Sequence, residues 1–167
     1  MADTPAPAIH DILFVCTGNI CRSPFGEASL RAKLFQDNFT DVRVSSAGTI
    51  GGQIPFCPQE AHIAAEDFNL DLSSHRSRLL TEASCIQADL IIVMEYSHTR
   101  FITEHWDDCS EKIRPLSDFD RKERKGRDIP DPYGFSIDYY RVVYRQIDEA
   151  LNTLVQWLKE REEMIRT

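Results

Sequence analysis

The sequence lacks an apolar run of about 20 residues, which is the length that a helix needs to cross a lipid bilayer. Residues 1–8 contain neither a basic cluster nor an apolar segment, so the pattern of a secretory signal is missing as well. We therefore expect no membrane span, a cytoplasmic location and a flexible N-terminal tail over residues 1–8.

Positive charge is in short supply, since 19 lysines and arginines face 27 aspartates and glutamates and the formal net charge is −8. Proteins that bind nucleic acids usually present a basic face, so we expect no nucleic-acid partner. A site that binds an anion must therefore concentrate positive charge locally.

A repeated short spacing between cysteines is also absent. The five cysteines are an odd number, which argues against a disulfide framework. Their spacing does not fit a zinc site either, so we expect no metal and no cofactor. We interpret Cys57, Cys85 and Cys109 as core or incidental thiols.

The sequence does have the composition of one ordinary globular domain. Its 167 residues are 42% hydrophobic and 28% charged, which is enough to build one core. We expect a single domain over residues 9–162, a C-terminal tail over residues 163–167, and a monomer.

Patterns typical of strands and helices alternate along the chain. The predicted strands are Ile12–Val15, Val42–Gly48, Ala88–Met94 and Lys112–Pro115. The predicted helices are Pro24–Phe35, Gln59–Phe68, Ser97–Trp106 and a long final helix from Ile137 to Leu158. This alternation predicts a doubly wound α/β fold with a four-stranded parallel sheet flanked by helices.

The starts of two helices are marked by their residues. Ser23 followed by Pro24 predicts an N-cap serine and a proline at the first helical position. The last helix has an apolar stripe over Ile137–Leu158, with Ser136 as its N-cap and Asp138 in its first turn. The buried face of the first helix is predicted to carry Phe25, Ala28, Ala32 and Phe35.

A loop that begins with Cys16 and ends with Arg22 joins the first strand to the first helix. Gly18 and Asn19 tolerate left-handed backbone conformations, so successive N–H groups can curl around an anion. The helix N-terminus and the Arg22 guanidinium add positive potential, which favours a tetrahedral oxyanion. The same potential favours a thiolate, so Cys16 is expected to act as a nucleophile toward a bound phosphate.

The segment Val15–Pro24 reads Val-Cys-Thr-Gly-Asn-Ile-Cys-Arg-Ser-Pro and resembles the phosphate-binding loop of the low-molecular-weight protein tyrosine phosphatases. The resemblance extends from Asp11 to about Leu158. It implies that Cys16 is the nucleophile of a cysteine-dependent phosphatase that needs no metal, and that the phosphate-binding loop follows strand 1. The residues that it assigns to phosphate binding are Thr17, Gly18, Asn19, Ile20, Cys21, Arg22 and Ser23.

Cleavage of a phosphate ester also requires a general acid, and Asp131 is the candidate. Pro130 and Pro132 flank this aspartate and limit how far its carboxyl group moves. The segment Asp131-Pro132-Tyr133 resembles the general-acid segment of the same family, which lies shortly before the last helix. The resemblance implies that Asp131 is the catalytic acid and that Tyr133 is a wall of the substrate pocket.

The sequence departs from the family at two aromatic positions. Gly134 replaces the second aromatic residue of the acid segment, and Thr49–Gly52 offers no aromatic ring after the second strand. Phe56 and Phe135 are the aromatic residues nearby that are able to compensate.

Four polar residues match a network that supports the phosphate-binding loop in this family. They are Asn19, Ser23, Ser46 and His75. The Ser23 hydroxyl is expected to donate to the Cys16 thiolate and make it a better leaving group. His75 alone has an alternative interpretation, namely a histidine with no role in the site.

Four functions remain open, and the leading one is hydrolysis of phosphotyrosine in a protein substrate through a phosphocysteine. Protein-arginine phosphatases share the fold and an Asp-Pro-aromatic-Gly segment, but they carry threonine at the position of Ile20, whose apolar side chain suits an aromatic ring. Thioredoxin-linked arsenate reductases share the fold and the loop but require two additional cysteines seven residues apart in a mobile segment. Ile92 stands at that distance from Cys85, so arsenate reduction is disfavoured. A catalytically idle phosphate-binding module is disfavoured because Cys16 and Asp131 are both present.

Two further features have two interpretations each. Cys21 either captures an oxidised Cys16 as a disulfide, which would make the enzyme redox-sensitive, or packs behind the loop. The basic segment, residues 121–127, holds five cations that either steer phosphorylated substrates or keep a loop hydrated.

Overall fold

The structure is a computed structural model that describes residues 7–166, so most of the tail predicted over residues 1–8 lies outside the described residues. Its strands are β1 (Asp11–Cys16), β2 (Arg43–Gly48), β3 (Leu90–Val93) and β4 (Ile113–Pro115). They form one four-stranded sheet in the order β2-β1-β3-β4, and every neighbouring pair is parallel. The predicted parallel α/β sheet is confirmed.

Five α-helices connect or cover the strands within residues 7–166. They are α1 (Arg22–Gln36), α2 (Gln59–Glu66), α3 (Glu82–Gln87), α4 (Tyr96–His105) and α5 (Ile137–Arg166). The sequence predicted four of them and missed the short α3. The helix α5 continues to Arg166, so residues 163–166 extend the helix where a tail from residue 163 was expected. No helix of the described residues is both long enough and apolar enough to span a membrane.

Helices cover both faces of the sheet. Alternate side chains of β1 point to opposite faces, so Phe14 packs in a core with α1, α2 and α5. Val15 packs in a second core with Ile102 of α4 and Cys109. A strand that is buried on both faces has no polar face, which explains the unbroken apolar runs in β1 and β3.

The long final helix forms as predicted. Tyr140 and Tyr144 are buried to 1% exposure or less, and they belong to the predicted stripe. The Ser136 hydroxyl accepts a hydrogen bond from the Tyr139 N–H at 3.4 Å, which confirms its role at the start of the helix. Asp138 stands in the first turn, where a negative charge interacts favourably with the helix dipole.

The buried face of α1 was predicted correctly at Phe25, which is fully buried, and wrongly at Phe35. Phe35 is 81% exposed, whereas Leu30 and Leu34 are buried. Gly26 faces the sheet so closely that an added Cβ would lie 3.0 Å from the Phe14 ring. This close approach fixes which face of α1 contacts the sheet, and it turns Phe35 toward solvent.

Candidate active site

The loop between β1 and α1, here called the phosphate loop (residues 16–22), lies at the carboxyl ends of the parallel strands. The chain after β2 packs against it, because the Thr49 N–H donates to the Cys16 carbonyl and the Ile50 N–H donates to the Thr17 carbonyl, both at 3.0 Å. Gly48 permits this approach, since an added Cβ would lie only 2.5 Å from the Thr17 oxygen. The segment that follows β2 therefore braces the phosphate loop.

The left-handed turn of the phosphate loop occurs at one residue. Asn19 has φ +54°, as predicted. Gly18 has no positive φ, so that part of the prediction is wrong. Its small size matters instead, because an added Cβ would meet Cγ1 of Ile20 at 3.3 Å.

The Ser23 hydroxyl contacts the phosphate loop and does not cap α1. Cys21 takes the N-cap position of α1, and the Ser23 hydroxyl lies 2.9 Å from the Cys16 sulfur. The predicted capping role of Ser23 is therefore wrong. The Asn19 side-chain amide donates to the Ser23 oxygen at 2.8 Å, so the Ser23 hydrogen is left to donate to Cys16. The Asn19 N–H also points at this sulfur, at 3.2 Å.

The four predicted supporting residues meet behind the phosphate loop. The Asn19 amide donates to the Ser46 hydroxyl at 2.9 Å, and His75 Nε2 lies 2.8 Å from the Asn19 carbonyl. Because a carbonyl only accepts, His75 Nε2 carries the proton and donates. Burial lowers the pKa of His75, which favours the neutral ring that this bond uses.

Glu27 completes this network and was missed by the sequence analysis. It is 7% exposed, and it accepts hydrogen bonds from the Ser46 hydroxyl at 2.5 Å and from Arg31 at 2.6 Å. Its spacing in the sequence indicates this role, because Glu27 stands four residues after Ser23 and therefore lies on the same helix face.

Arg22 is 1% exposed and is held between two carboxylates. Its Nη1 donates to the Ile129 carbonyl at 2.9 Å and to the Glu95 carboxylate, while its Nη2 lies 3.1 Å from Asp131 Oδ2. Its Nε is buried and has no hydrogen-bond partner among the described residues. The guanidinium is therefore fixed on one edge and retains a donor for an oxyanion.

Glu95 and His98 are two further residues of the site that the sequence analysis missed. Burial alone would raise the pKa of Glu95, but the ion pair with Arg22 outweighs it and the pKa is lowered. His98 is 2% exposed, and its Nε2 lies 2.9 Å from the Thr17 hydroxyl oxygen. The sheet topology indicates both residues, because they follow β3, whose carboxyl end adjoins that of β1.

The acid loop, residues 129–134, brings Asp131 to the phosphate loop as expected. The Ile129 N–H donates to the Met94 carbonyl at 2.8 Å, which ties the loop to the end of β3. The Asp131 side chain is 46% exposed, and one of its oxygens accepts from the Tyr133 N–H at 3.2 Å. Gly134 has φ +81°, a conformation that disfavours a bulky side chain at this position.

The two predicted pocket residues differ in exposure. Tyr133 is 52% exposed, so its ring is available to a substrate. Ile20 is 6% exposed and packs with the core beneath the loop. Of the two aromatic rings considered as replacements, Phe56 lies under the Arg76 guanidinium and Phe135 packs against Tyr139.

Cys21 packs behind the phosphate loop. It is 3% exposed, and its sulfur lies 3.3 Å from the Tyr140 hydroxyl. Burial is the main cause that raises the pKa of Cys21 to about 12. The three remaining cysteines are also buried, as expected for core thiols: Cys57, Cys85 and Cys109.

The basic segment is partly neutralised by acidic partners. Arg121 pairs with Glu149 at 2.9 Å, and Arg124 pairs with Asp120 at 2.6 Å and with Glu149 at 2.7 Å. Two of its five cations therefore anchor the segment to the rest of the domain.

Comparison with known proteins agrees with this geometry. Residues 11–164 match the family described as low molecular weight phosphotyrosine protein phosphatase. The protein-arginine-phosphatase of Bacillus subtilis (strain 168) is 32% identical over 150 residues, which cover 90% of this chain and 97% of that protein. The low molecular weight protein-tyrosine-phosphatase Etp of Escherichia coli (strain K12) is 34% identical over 151 residues, or 90% of this chain and 93% of Etp.

A solved structure of the YwlE arginine phosphatase superposes with a TM-score of 0.83 at 31% identity, covering 92% of this chain and 99% of that one. It is a cysteine-to-serine mutant with a phosphorylated active-site serine. The family match spans nearly all of the described residues and the relatives are covered almost completely, so the chain belongs to the low molecular weight phosphotyrosine protein phosphatase family.

Proposed function

We propose that the protein hydrolyses phosphotyrosine in protein substrates through a phosphocysteine formed on Cys16. The observation that carries this proposal is the position of the Cys16 sulfur, 2.9 Å from the Ser23 hydroxyl and in hydrogen-bond contact with the Asn19 N–H. Two donors on one sulfur stabilise the thiolate, which is the form that attacks phosphorus.

In the first step, the Cys16 sulfur forms a bond to phosphorus as the bond from phosphorus to the leaving oxygen breaks. Asp131 gives its proton to that oxygen, so the leaving group departs as a neutral alcohol or phenol. Arg22 Nε, which has no partner among the described residues, is the donor available to an equatorial phosphoryl oxygen. The contact between Asp131 and Arg22 Nη2 supports this assignment, because it places acid and clamp side by side.

In the second step, Asp131 is a carboxylate and takes a proton from water as the water oxygen attacks phosphorus. The sulfur–phosphorus bond breaks, and inorganic phosphate and the Cys16 thiolate are released. The Ser23 hydroxyl stabilises the departing thiolate through the contact that it already makes.

Phosphotyrosine is the proposed substrate because Tyr133 presents an exposed aromatic ring on the acid loop, two residues from Asp131. Phosphoarginine is the second candidate. It is favoured by the similarity to arginine phosphatase in sequence and in structure, and by Gly134, which offers no ring to the pocket.

Turnover of matched phosphotyrosine, phosphoarginine and phosphoserine peptides tests this choice. We expect the highest kcat/KM for phosphotyrosine, and a higher value for phosphoarginine would overturn the assignment. Tyr133→Ala is expected to shift the ratio of the two kcat/KM values toward phosphoarginine by about 10-fold, since one side chain in a pocket typically discriminates to that extent.

We also propose that the enzyme acts as a cytoplasmic monomer on phosphoproteins. Five unpaired cysteines support a reducing compartment. Light scattering across a concentration series tests the oligomeric state, and a dimer at micromolar concentration would refute that part.

A further inference from the structure

A short chain of hydrogen bonds links the start of α4 to the first residue after the nucleophile. The Glu95 backbone N–H points at His98 Nδ1 at 3.1 Å, and His98 Nε2 lies 2.9 Å from Thr17 Oγ1. Since Nδ1 accepts from a backbone N–H, it carries no proton, and the ring proton must reside on Nε2. His98 therefore donates to the Thr17 oxygen.

This donation determines what the Thr17 hydroxyl is able to do. Its oxygen accepts from the imidazole, and the hydroxyl makes no other hydrogen bond among the described residues. Thr17 is half-buried and directly follows Cys16. Its hydrogen is thus directed away from the imidazole and remains available, on the residue that directly follows the nucleophile.

The surroundings of His98 keep the imidazole in this state. The ring is 2% exposed. The charged groups that act on it are Arg22, Glu95, Asp128 and Asp131. Burial, and after it the nearby Arg22, lowers the pKa of His98 to about 4, so the ring stays neutral near pH 7 and Nδ1 remains free to accept.

Resting on the proposed phosphatase activity, we infer that Thr17 donates its hydroxyl hydrogen to the transferring phosphoryl group and that His98 is the positioning residue that aims it. The imidazole also links two parts of the site, because the Glu95 whose backbone it accepts from holds Arg22 through its carboxylate. The start of α4 thereby aligns both the Arg22 guanidinium and Thr17, the residue that follows the nucleophile.

A donor aimed at the phosphoryl group affects kcat and KM differently from a purely structural residue. Negative charge on the phosphoryl oxygens is redistributed during transfer, so an aimed donor stabilises the transition state more than the bound substrate. Loss of the donor should therefore lower kcat and leave KM nearly unchanged.

The test compares variants of the full chain with p-nitrophenyl phosphate as substrate. We expect Thr17→Val and His98→Ala each to lower kcat by about 10- to 100-fold, somewhat less than loss of a full oxyanion-hole donor. Thr17→Ser keeps the hydroxyl and His98→Gln keeps a donor, so both should retain most of the activity. The matched control is His105→Ala, because His105 lies on the same helix and, within residues 7–166, its hydrogen bond goes to the Phe101 carbonyl and its ring contacts are with Phe101 and Trp106.

The double variant gives the sharper result. If His98 acts through Thr17, then Thr17→Val combined with His98→Ala should be no slower than the worse single variant. Losses that multiply, or an unchanged kcat in Thr17→Val, would overturn the inference. Should Thr17→Val fail to fold, Thr17→Ala removes the same hydroxyl and must show the same loss.

Nuclear magnetic resonance of the imidazole nitrogens tests the hydrogen bonds of His98 without an activity measurement. We expect His98 to show a protonated Nε2 and an unprotonated Nδ1 at pH 7, and the opposite tautomer would refute the inference. A parent enzyme that turns over no phosphomonoester would refute the proposed function, whereas an active parent with unaffected variants refutes only this inference.

Discussion

The phosphate loop and the acid loop lie against each other but are built differently. Within the phosphate loop, Cys16, Asn19 and Arg22 are each at most 2% exposed and are held by hydrogen bonds from several elements. In the acid loop, the Asp131 side chain is 46% exposed and Tyr133 is 52% exposed.

The difference follows from the chemistry that each loop serves. The oxyanion has the same shape in every substrate, so a rigid nest loses nothing by being fixed in advance. The leaving group differs between substrates, so the acid needs some freedom to reach its oxygen. In the structure one oxygen of Asp131 contacts Arg22 while nearly half of its side chain is exposed, which leaves it room to reach different leaving oxygens. The phosphate loop is therefore the rigid part of the site, and the acid loop is the part that adapts to different leaving groups.

The largest effect is expected when the nucleophile is removed from the phosphate loop. Cys16→Ser should lower kcat by about 10⁴-fold or more, because a hydroxyl is far less ionised than a thiol. The nest itself should survive, so the variant should still bind phosphate or vanadate. Steady-state kinetics and a vanadate titration check this pair of outcomes, and substantial residual turnover would contradict the covalent mechanism.

The next effect lies in the acid loop. Asp131→Asn should lower kcat by about 10²- to 10³-fold, as expected for a lost general acid. The loss should be greatest for weakly acidic leaving groups, since these most need the proton. A series of aryl phosphates measures the dependence on the leaving group.

Equal losses across that series would show that Asp131 is not the acid. Tyr133→Ala serves as the matched control from the same loop. It should alter KM for aromatic substrates but leave the dependence on the leaving group unchanged.

The comparison also predicts unequal effects on stability. Asn19→Ala should lower the free energy of unfolding by about 3 kcal/mol. The buried hydroxyls of Ser23 and Ser46 lose the Asn19 amide as a partner, and alanine disfavours the positive φ at this position. Tyr133→Ala should change it by less than about 0.5 kcal/mol, as an exposed ring does. Urea unfolding monitored by circular dichroism gives both values. Similar losses in the two variants would remove the distinction between a rigid and an adaptable loop.

Much of the site was predictable because its residues stand close together in the chain. Cys16, Arg22 and Asp131 sit in short motifs, and the parallel sheet brings the ends of its strands to one edge. Glu95 and His98 were missed because their partners lie 73 and 81 residues away, where no local pattern connects them. Ser23 was assigned to the wrong role because Ser-Pro satisfies the local rule for a helix start, while the Cys16 thiol imposes a tertiary requirement on the same hydroxyl.

The smallest expected effect concerns oxidation of the rigid loop. Peroxide should convert the Cys16 thiolate to a sulfenic acid, and attack by the Cys21 sulfur then forms a disulfide and releases water. Burial raises the pKa of Cys21 to about 12 and outweighs the opposing effect of the hydrogen bond with Tyr140, so the thiol is protonated and this capture is slow. Cys21 should therefore protect at low peroxide, where a second oxidation is slower still, and fail at high peroxide.

Recovery of activity under thiol, measured after a low and a high dose of peroxide, separates these regimes. Cys21→Ala should recover a few-fold less than the parent at the low dose, and the two should recover alike at the high dose. Cys85→Ala is the matched control, since Cys85 is buried in the core on the opposite face of the sheet. Equal recovery of Cys21→Ala and the parent at the low dose would leave Cys21 as a packing residue behind the phosphate loop.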